Sequence, residues 1–170
     1  AGTISECSNS GTITESTARV QGEDPCKFIY LGGLFSVVDT GSKQSLKVTG
    51  CSNSGDITSS SDVKQQFIGG IAGQLSTKNA EFTGNTTSGN ITTTAALRNL
   101  HCGGLFGRIS AAQTLNLSGE PFTGSINIGA TESDATTFLY CGGLIGQTAK
   151  NITRRRPKTA RSRSLRTWWP

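Results

Sequence analysis

Two kinds of segment alternate along residues 1–148. The apolar kind is built around Gly-Gly: Tyr30-Leu31-Gly32-Gly33-Leu34-Phe35-Ser36, then Phe67-Ile68-Gly69-Gly70-Ile71-Ala72-Gly73, His101-Cys102-Gly103-Gly104-Leu105-Phe106-Gly107 and Tyr140-Cys141-Gly142-Gly143-Leu144-Ile145-Gly146. The polar kind reads Cys7-Ser8-Asn9-Ser10-Gly11-Thr12-Ile13-Thr14 and Cys51-Ser52-Asn53-Ser54-Gly55-Asp56-Ile57-Thr58. It weakens to Asn85-Thr86-Thr87-Ser88-Gly89-Asn90-Ile91-Thr92 and to Ser125-Ile126-Asn127-Ile128-Gly129-Ala130-Thr131. Inside the polar kind the period is two. Strand alternation predicts Val48, Gly50, Ser52 and Ser54 on one face and Thr49, Cys51 and Asn53 on the other. Phe82-Thr83-Gly84 and Phe122-Thr123-Gly124 read as the entry to this segment. The Val, Ile, Phe and Thr content favours strand. No window carries a sustained 3.6-residue apolar stripe, and the best helix candidate, residues 95–100, is poor.

The Gly-Gly pairs begin at 32, 69, 103 and 142, and the Ser-Gly-type glycines fall at 11, 55, 89 and 129. Fixed motifs with a drifting step mean constant rungs joined by loops of variable length, with residues 16–27 and 39–44 as insertions. Such self-similarity predicts stacked units rather than one unique core. The expected fold is all-β: a right-handed parallel β-solenoid (β-helix) of about four coils over residues 1–149, with a β-sandwich as the alternative. Gly11, Gly32, Gly33, Gly55, Gly69, Gly70, Gly89, Gly103, Gly104, Gly129, Gly142 and Gly143 are the predicted structural glycines. They supply positive φ in turns or let neighbouring backbones approach closely.

Composition changes this picture in one place. A chain of 170 residues suits one domain, and 22 Gly with 4 Pro suit turns rather than a Pro-rich linker. No apolar run approaches the ~20 residues of a membrane-spanning helix. No signal peptide is visible, and the chain opens inside a repeat, so a fragment or processed piece of a longer protein is expected. The net charge of +5 is unevenly placed: residues 150–170 hold 8 of the 16 Lys and Arg and none of the 11 acids. Residues 1–149 are therefore mildly acidic, at −3. The tail from Asn151 through Arg154-Arg155-Arg156-Pro157 to Trp168-Trp169-Pro170 loses both glycine and repeat. It reads as a polybasic arm for polyanions, as an inert disordered end, or as out-of-register translation. The abruptness of the switch favours the last.

Cys7 and Cys51 share one repeat position, and Cys102 and Cys141 another. Stacked at strand spacing, they predict a ladder of cysteines, with reduced buried thiols preferred and disulfides gaining weight in a secreted protein. Cys26 has no partner by register. No CxxC pair occurs, and no metal site is expected.

The Gly-Gly-Leu-Phe-Gly and Gly-Gly-Ile-Ala-Gly segments, alternating with Cys-Ser-Asn-Ser-Gly, resemble the GLUG-motif repeats of bacterial, especially Bacteroidetes-type, surface proteins. The resemblance covers residues 1–148. It implies an extended β-rich module outside the cytoplasm, at the cell surface or secreted, often adhesin-like and sometimes appended to peptidases. It carries over no catalytic residue. The chain departs from the pattern at Ser36 and at Ile126 to Ala130, where distorted coils are expected.

Candidate chemistry is thin. The one histidine, His101, stands where other repeats place Tyr30, Phe67 and Tyr140, so that position selects a ring rather than a base. No Gly-x-Ser-x-Gly elbow occurs. Glu23, Asp24, Asp56, Asp62, Glu132 and Asp134 read as solvated loop acids, and the Asp-rich Ca²⁺-binding nonapeptide is absent. Thr-rich runs such as Ile91-Thr92-Thr93-Thr94 form polar ladders that suit glycans or simply water. The expected function is a non-catalytic adhesive or spacer module that needs no cofactor. Its expected partners are host or bacterial surface glycans or proteins and neighbouring repeats of a longer parent, with neither specific nucleic acid nor a transmembrane segment. The alternatives are an accessory segment of an extracellular peptidase or glycan-active enzyme, and polyanion binding through the tail.

Overall fold

The computed structural model describes residues 1–16, 28–60, 63–94, 99–111, 114–129 and 138–148, without the side chains of residues 42, 43 and 111. These residues form an all-β fold, without helix, in which strands lie parallel in four sheets. A long sheet contains Gly2–Ser5, Phe35–Thr49, Ala72–Thr83, Phe106–Ala111, Thr114–Ser118 and Ile145–Thr148. A short sheet contains Ser8–Asn9, Ser52–Asn53 and Thr86–Thr87. An isoleucine sheet contains Ile13–Glu15, Ile57–Ser59, Ile91–Thr93 and Ile126–Ile128. An aromatic sheet contains Phe28–Gly32, Gln65–Gly69, Asn99–Gly103 and Phe138–Gly142. The chain visits them in that order and returns to the long sheet, so each strand pairs with its counterpart one repeat away.

Register makes the repeat explicit. Ile13, Ile57, Ile91 and Ile126 are aligned across one sheet, and Gly32, Gly69, Gly103 and Gly142 across another. Four units result: residues 2–41, 44–77, 78–111 and 114–148. The offset between paired residues is 44 at Ile13/Ile57 and 37 at Tyr30/Phe67, where the first unit meets the second, and 34 at Leu46/Ala80, where the second meets the third. The change therefore falls within the expected insertions, the first of which lies outside the described residues at 17–27. Ser36 causes no distortion, since Phe35 pairs Ala72 and Val37 pairs Gln74 in register. The equivalent glycines Gly73 and Gly107 lie where a Cβ would press on Leu31 N and Ile68 N of the preceding unit. No described strand precedes Phe28–Gly32 in that sheet, which leaves Ser36 room. Ile126–Ile128 is likewise in register with Ile91–Thr93.

Four expectations are corrected. Val48 is buried, but so are Cys51 and Asn53, while Ser54 is exposed. The two-residue alternation is reset at Gly50, whose φ of 64° turns the chain. Gly84 and Gly119, at φ 66° and 69°, turn it at the same place in the next units. Consequently Leu117-Ser118-Gly119 is the counterpart of Phe82-Thr83-Gly84, and Phe122 pairs instead with Thr87. Finally, Gly124 rather than Gly129 continues the column of Gly55 and Gly89. A Cβ at Gly124 would collide with the Gly89 carbonyl oxygen, whereas one at Gly129 would stand 3.4 Å from the nearest atom. The helix candidate fails where it is described, because Leu100 lies in the strand Asn99–Gly103.

Two apolar clusters fill the interior. One joins the long sheet to the Gly-Gly bends through Val48, Ile71, Leu75, Phe82, Leu105, Phe106 and Ile109. The other joins the isoleucine and aromatic sheets through Ile57, Ile68, Ile91, Leu100 and Cys102.

Candidate functional site

The most regular surface lies over the short and isoleucine sheets. In the second unit Cys51, Asn53, Gly55, Ile57 and Ser59 are buried while Ser52, Ser54, Asp56 and Thr58 face outward. In the third unit Thr86, Ser88, Asn90 and Thr92 do the same. Register aligns Ser8, Ser52 and Thr86, and Thr14, Thr58, Thr92 and Asn127. The result is a grid of hydroxyl and amide groups, spaced ~4.8 Å between units and ~6.7 Å along the chain. Asp56 is its one charge, and its Oδ1 accepts a hydrogen bond from the Asn90 backbone N–H at 2.7 Å. Asn90 Oδ1 in turn accepts from Ser125 N–H and Oγ at 3.0 and 2.8 Å. This column therefore ties successive units together, and the other columns remain open to solvent.

The buried side of the same segment explains its composition. Cys51 Sγ accepts the Cys7 N–H at 3.4 Å, Asn85 Oδ1 accepts the Cys51 N–H at 2.9 Å, and Glu120 Oε1 accepts the Asn85 N–H at 3.2 Å. Three residues of different kinds, Cys51, Asn85 and Glu120, thus do one job, each satisfying a backbone donor of the preceding unit. Burial raises the Glu120 pKa, while its hydrogen bonds from Asn85 oppose the shift. One position on, Asn9 Nδ2 donates to Asn53 Oδ1 at 2.9 Å, and Asn53 Nδ2 donates to the Gly55 carbonyl at 3.1 Å.

The aromatic sheet carries a stack of four rings. Tyr30 and Phe67 lie 4.9 Å apart, Phe67 and His101 4.6 Å, and His101 and Tyr140 4.9 Å, with interplanar angles of 10°, 8° and 4°. Their register is the one the repeat predicts. Arg108 places its guanidinium carbon 5.6 Å from the Phe67 centroid, a cation–π contact. His101 is 5 % exposed and its Nδ1 has no hydrogen-bond partner. Burial, and secondarily the Arg108 charge, lower its pKa to about 4. The imidazole is neutral at pH 7 and serves as a ring in a stack.

The cysteines fall into the two pairs that their repeat positions predict. Cys7 lies beside Cys51, and Cys102 is the register partner of Cys141. All four are thiols, Cys51 and Cys102 buried, Cys7 and Cys141 exposed. The hydrogen bond between Cys102 and Cys141, together with burial, raises the Cys102 pKa, and the same bond lowers that of Cys141. Cys26, the acids Glu23, Asp24, Asp62, Glu132 and Asp134, and residues 150–170 lie outside the described residues.

Among the described residues no three His, Cys, Asp or Glu side chains converge as metal ligands. A groove over the long sheet, lined by Thr3, Lys47, Glu81 and Asn116, holds a Lys47–Glu81 ion pair at 3.1 Å between two half-exposed side chains. Such a pair is worth little in water. Among the described residues no helix is long and apolar enough to cross a membrane. Compared with family models, curated proteins and solved structures, the chain matches none.

Sequence reasoning located the ring position and both cysteine pairs. It missed the corner glycines Gly50, Gly84 and Gly119, although the tripeptides Val48-Thr49-Gly50, Phe82-Thr83-Gly84 and Leu117-Ser118-Gly119 spell them out. It also missed the chemically mixed column Cys7, Cys51, Asn85 and Glu120. No common residue marks that column, because what recurs is an acceptor and not an amino acid.

Proposed function

We propose that residues 1–149 are four coils of a right-handed parallel β-solenoid acting as a non-catalytic adhesive and spacer module of a bacterial cell-surface or secreted protein. The observation that carries this reading is the register: the long, isoleucine and aromatic sheets pair each unit with the next, and the short sheet does so for the first three, which supports a stiff rod whose length follows from repeat number. The outward grid of Ser, Thr and Asn supplies adhesion. Hydroxyls and amides on a rigid flat face donate to and accept from polyhydroxylated ligands at little ordering cost, which suits surface glycans or glycosylated proteins. The GLUG-like motifs point the same way. Among the described residues, His101 serves as a ring in a stack and the groove over the long sheet is closed by an ion pair, and neither favours general acid–base work.

An array of glycans, matrix proteins, heparin and DNA, probed with the full chain, tests this. Three versions are compared: the parent, a face variant with Thr58→Lys and Thr92→Lys, and a tail variant with Arg154, Arg155 and Arg156 each changed to Gln. Glycan or protein binding that survives the tail changes and disappears with the face changes supports adhesion. Binding confined to heparin and DNA, weakened by salt and by the tail changes, replaces it with polyanion binding through the tail.

A further inference from the structure

We infer that Cys7–Cys51 and Cys102–Cys141 are two disulfide-forming sites that fasten the first described unit to the second, and the third to the fourth, under oxidising conditions. Each pair is placed by the backbone. Ser5 pairs Thr49 and Ser8 pairs Ser52, which brackets Cys7 opposite Cys51. Cys102 and Cys141 are direct partners on adjacent parallel strands. Neighbouring strands lie ~4.8 Å apart, inside the ~4.4–6.8 Å Cα separation that a disulfide spans. The Cys7 N–H already reaches Cys51 Sγ at 3.4 Å.

The distribution of the cysteines follows the junctions between the described units. The column through Cys7 carries cysteine in units one and two and Asn85 in unit three. The column through Cys141 carries it in units three and four, with Leu31 and Ile68 in units one and two. Cysteines therefore meet at both outer junctions, and neither column forms a pair at the central one. In each pair one member, Cys7 or Cys141, is exposed and the other, Cys51 or Cys102, is buried. A core-filling thiol ladder would bury both. An accessible thiol with a buried partner is the arrangement for attack followed by resolution.

The chemistry is thiol–disulfide exchange with an external low-molecular-weight or protein disulfide. The thiolate of Cys7 or Cys141 attacks one sulfur of that disulfide, breaks its S–S bond, and releases one thiolate. The sulfur of Cys51 or Cys102, losing its proton to the departing thiolate, then attacks the mixed disulfide and expels the second thiol. The protein loses two hydrogens per pair, and the external disulfide is reduced to two thiols. The hydrogen bond that lowers the Cys141 pKa favours its role as the attacking sulfur.

The test equilibrates the native full chain with oxidised and reduced glutathione at several ratios, blocks remaining thiols by alkylation, and maps peptides by mass spectrometry without reduction. The expected result is Cys7 linked to Cys51, Cys102 linked to Cys141, Cys26 alkylated, and an intact mass about 4 Da lower before blocking. The oxidised protein melts about 10 °C higher than the reduced one. Cys141→Ser removes the second link and keeps the first, and Cys7→Ser does the reverse; both changes fall at exposed positions and leave the core intact. Cys7 and Cys141 stopping as glutathione adducts, or links that join Cys26 or cross between the pairs, overturn the inference.

Discussion

The third and fourth units carry nearly the same apolar sentence, and the fold treats them differently. Leu100 and Leu105 are fully buried, whereas their counterparts Leu139 and Leu144 are 51 % and 45 % exposed. A Cβ on Gly104 would collide with the Gly143 carbonyl oxygen and the Phe122 ring, while one on Gly143 would meet nothing within 4 Å. Phe67 and His101 each have a ring on both sides, whereas Tyr140 has a described ring on one side only. Burial in this protein therefore belongs to the junction between units and not to the unit. A motif becomes core only when a following unit covers it, which is the nearest-neighbour energetics expected of repeats.

The sharpest way to break this comparison is Gly104→Ala beside Gly143→Ala. The first forces backbone apart across a junction and is expected to cost about 4 kcal/mol or more, or to prevent folding; the second is expected to change stability by less than about 0.5 kcal/mol. Urea unfolding of both variants measures it, and equal losses would mean that Gly143 is also covered. Next comes Leu100→Ala against Leu139→Ala. The inner truncation leaves a cavity worth about 3 kcal/mol, and the outer one less than about 1 kcal/mol.

The third prediction concerns pH. The folded-state pKa of His101 is about 4, below its ordinary value of 6.5. The unfolded chain therefore takes up the proton more readily. This contribution is fully present above pH 6.5 and is lost as pH falls from 6.5 through 4, up to about 3 kcal/mol. His101→Phe should flatten that part of the stability–pH curve while keeping the ring stack, and an unchanged slope would show that His101 does not cause it. The smallest effect is at Glu6, the one described non-glycine residue with positive φ, at 54°. It sits where the later units place Gly50, Gly84 and Gly119. Glu6→Gly should raise stability by about 0.5–1 kcal/mol, read as a shift in the urea midpoint at constant slope.

Much of the candidate site was legible before any coordinates. The alignment of Tyr30, Phe67, His101 and Tyr140 follows from counting residues around the Gly-Gly pairs, since a parallel register preserves sequence order. Gly129 misled because it follows Ile128 rather than a serine, and a single glycine is weak evidence of position. Its neighbour Ile126 holds the register, and with it Gly124. The exposed grid was half visible: Thr and Asn runs were plain, but which of them faced water depended on the phase reset at Gly50.

Local chemistry in the sequence determined the all-β class, the number of units and the sites of insertion. Those depend on side-chain period, turn residues and motif spacing, each of which spans a few residues. Tertiary structure alone decided which equivalent residues are core and which are surface. It also decided which acceptor satisfies each backbone donor at the Cys7, Cys51, Asn85 and Glu120 corner, and which cysteine of each pair meets solvent. Those outcomes depend on a neighbour some 34 to 44 residues away in the chain, and on whether that neighbour exists at all.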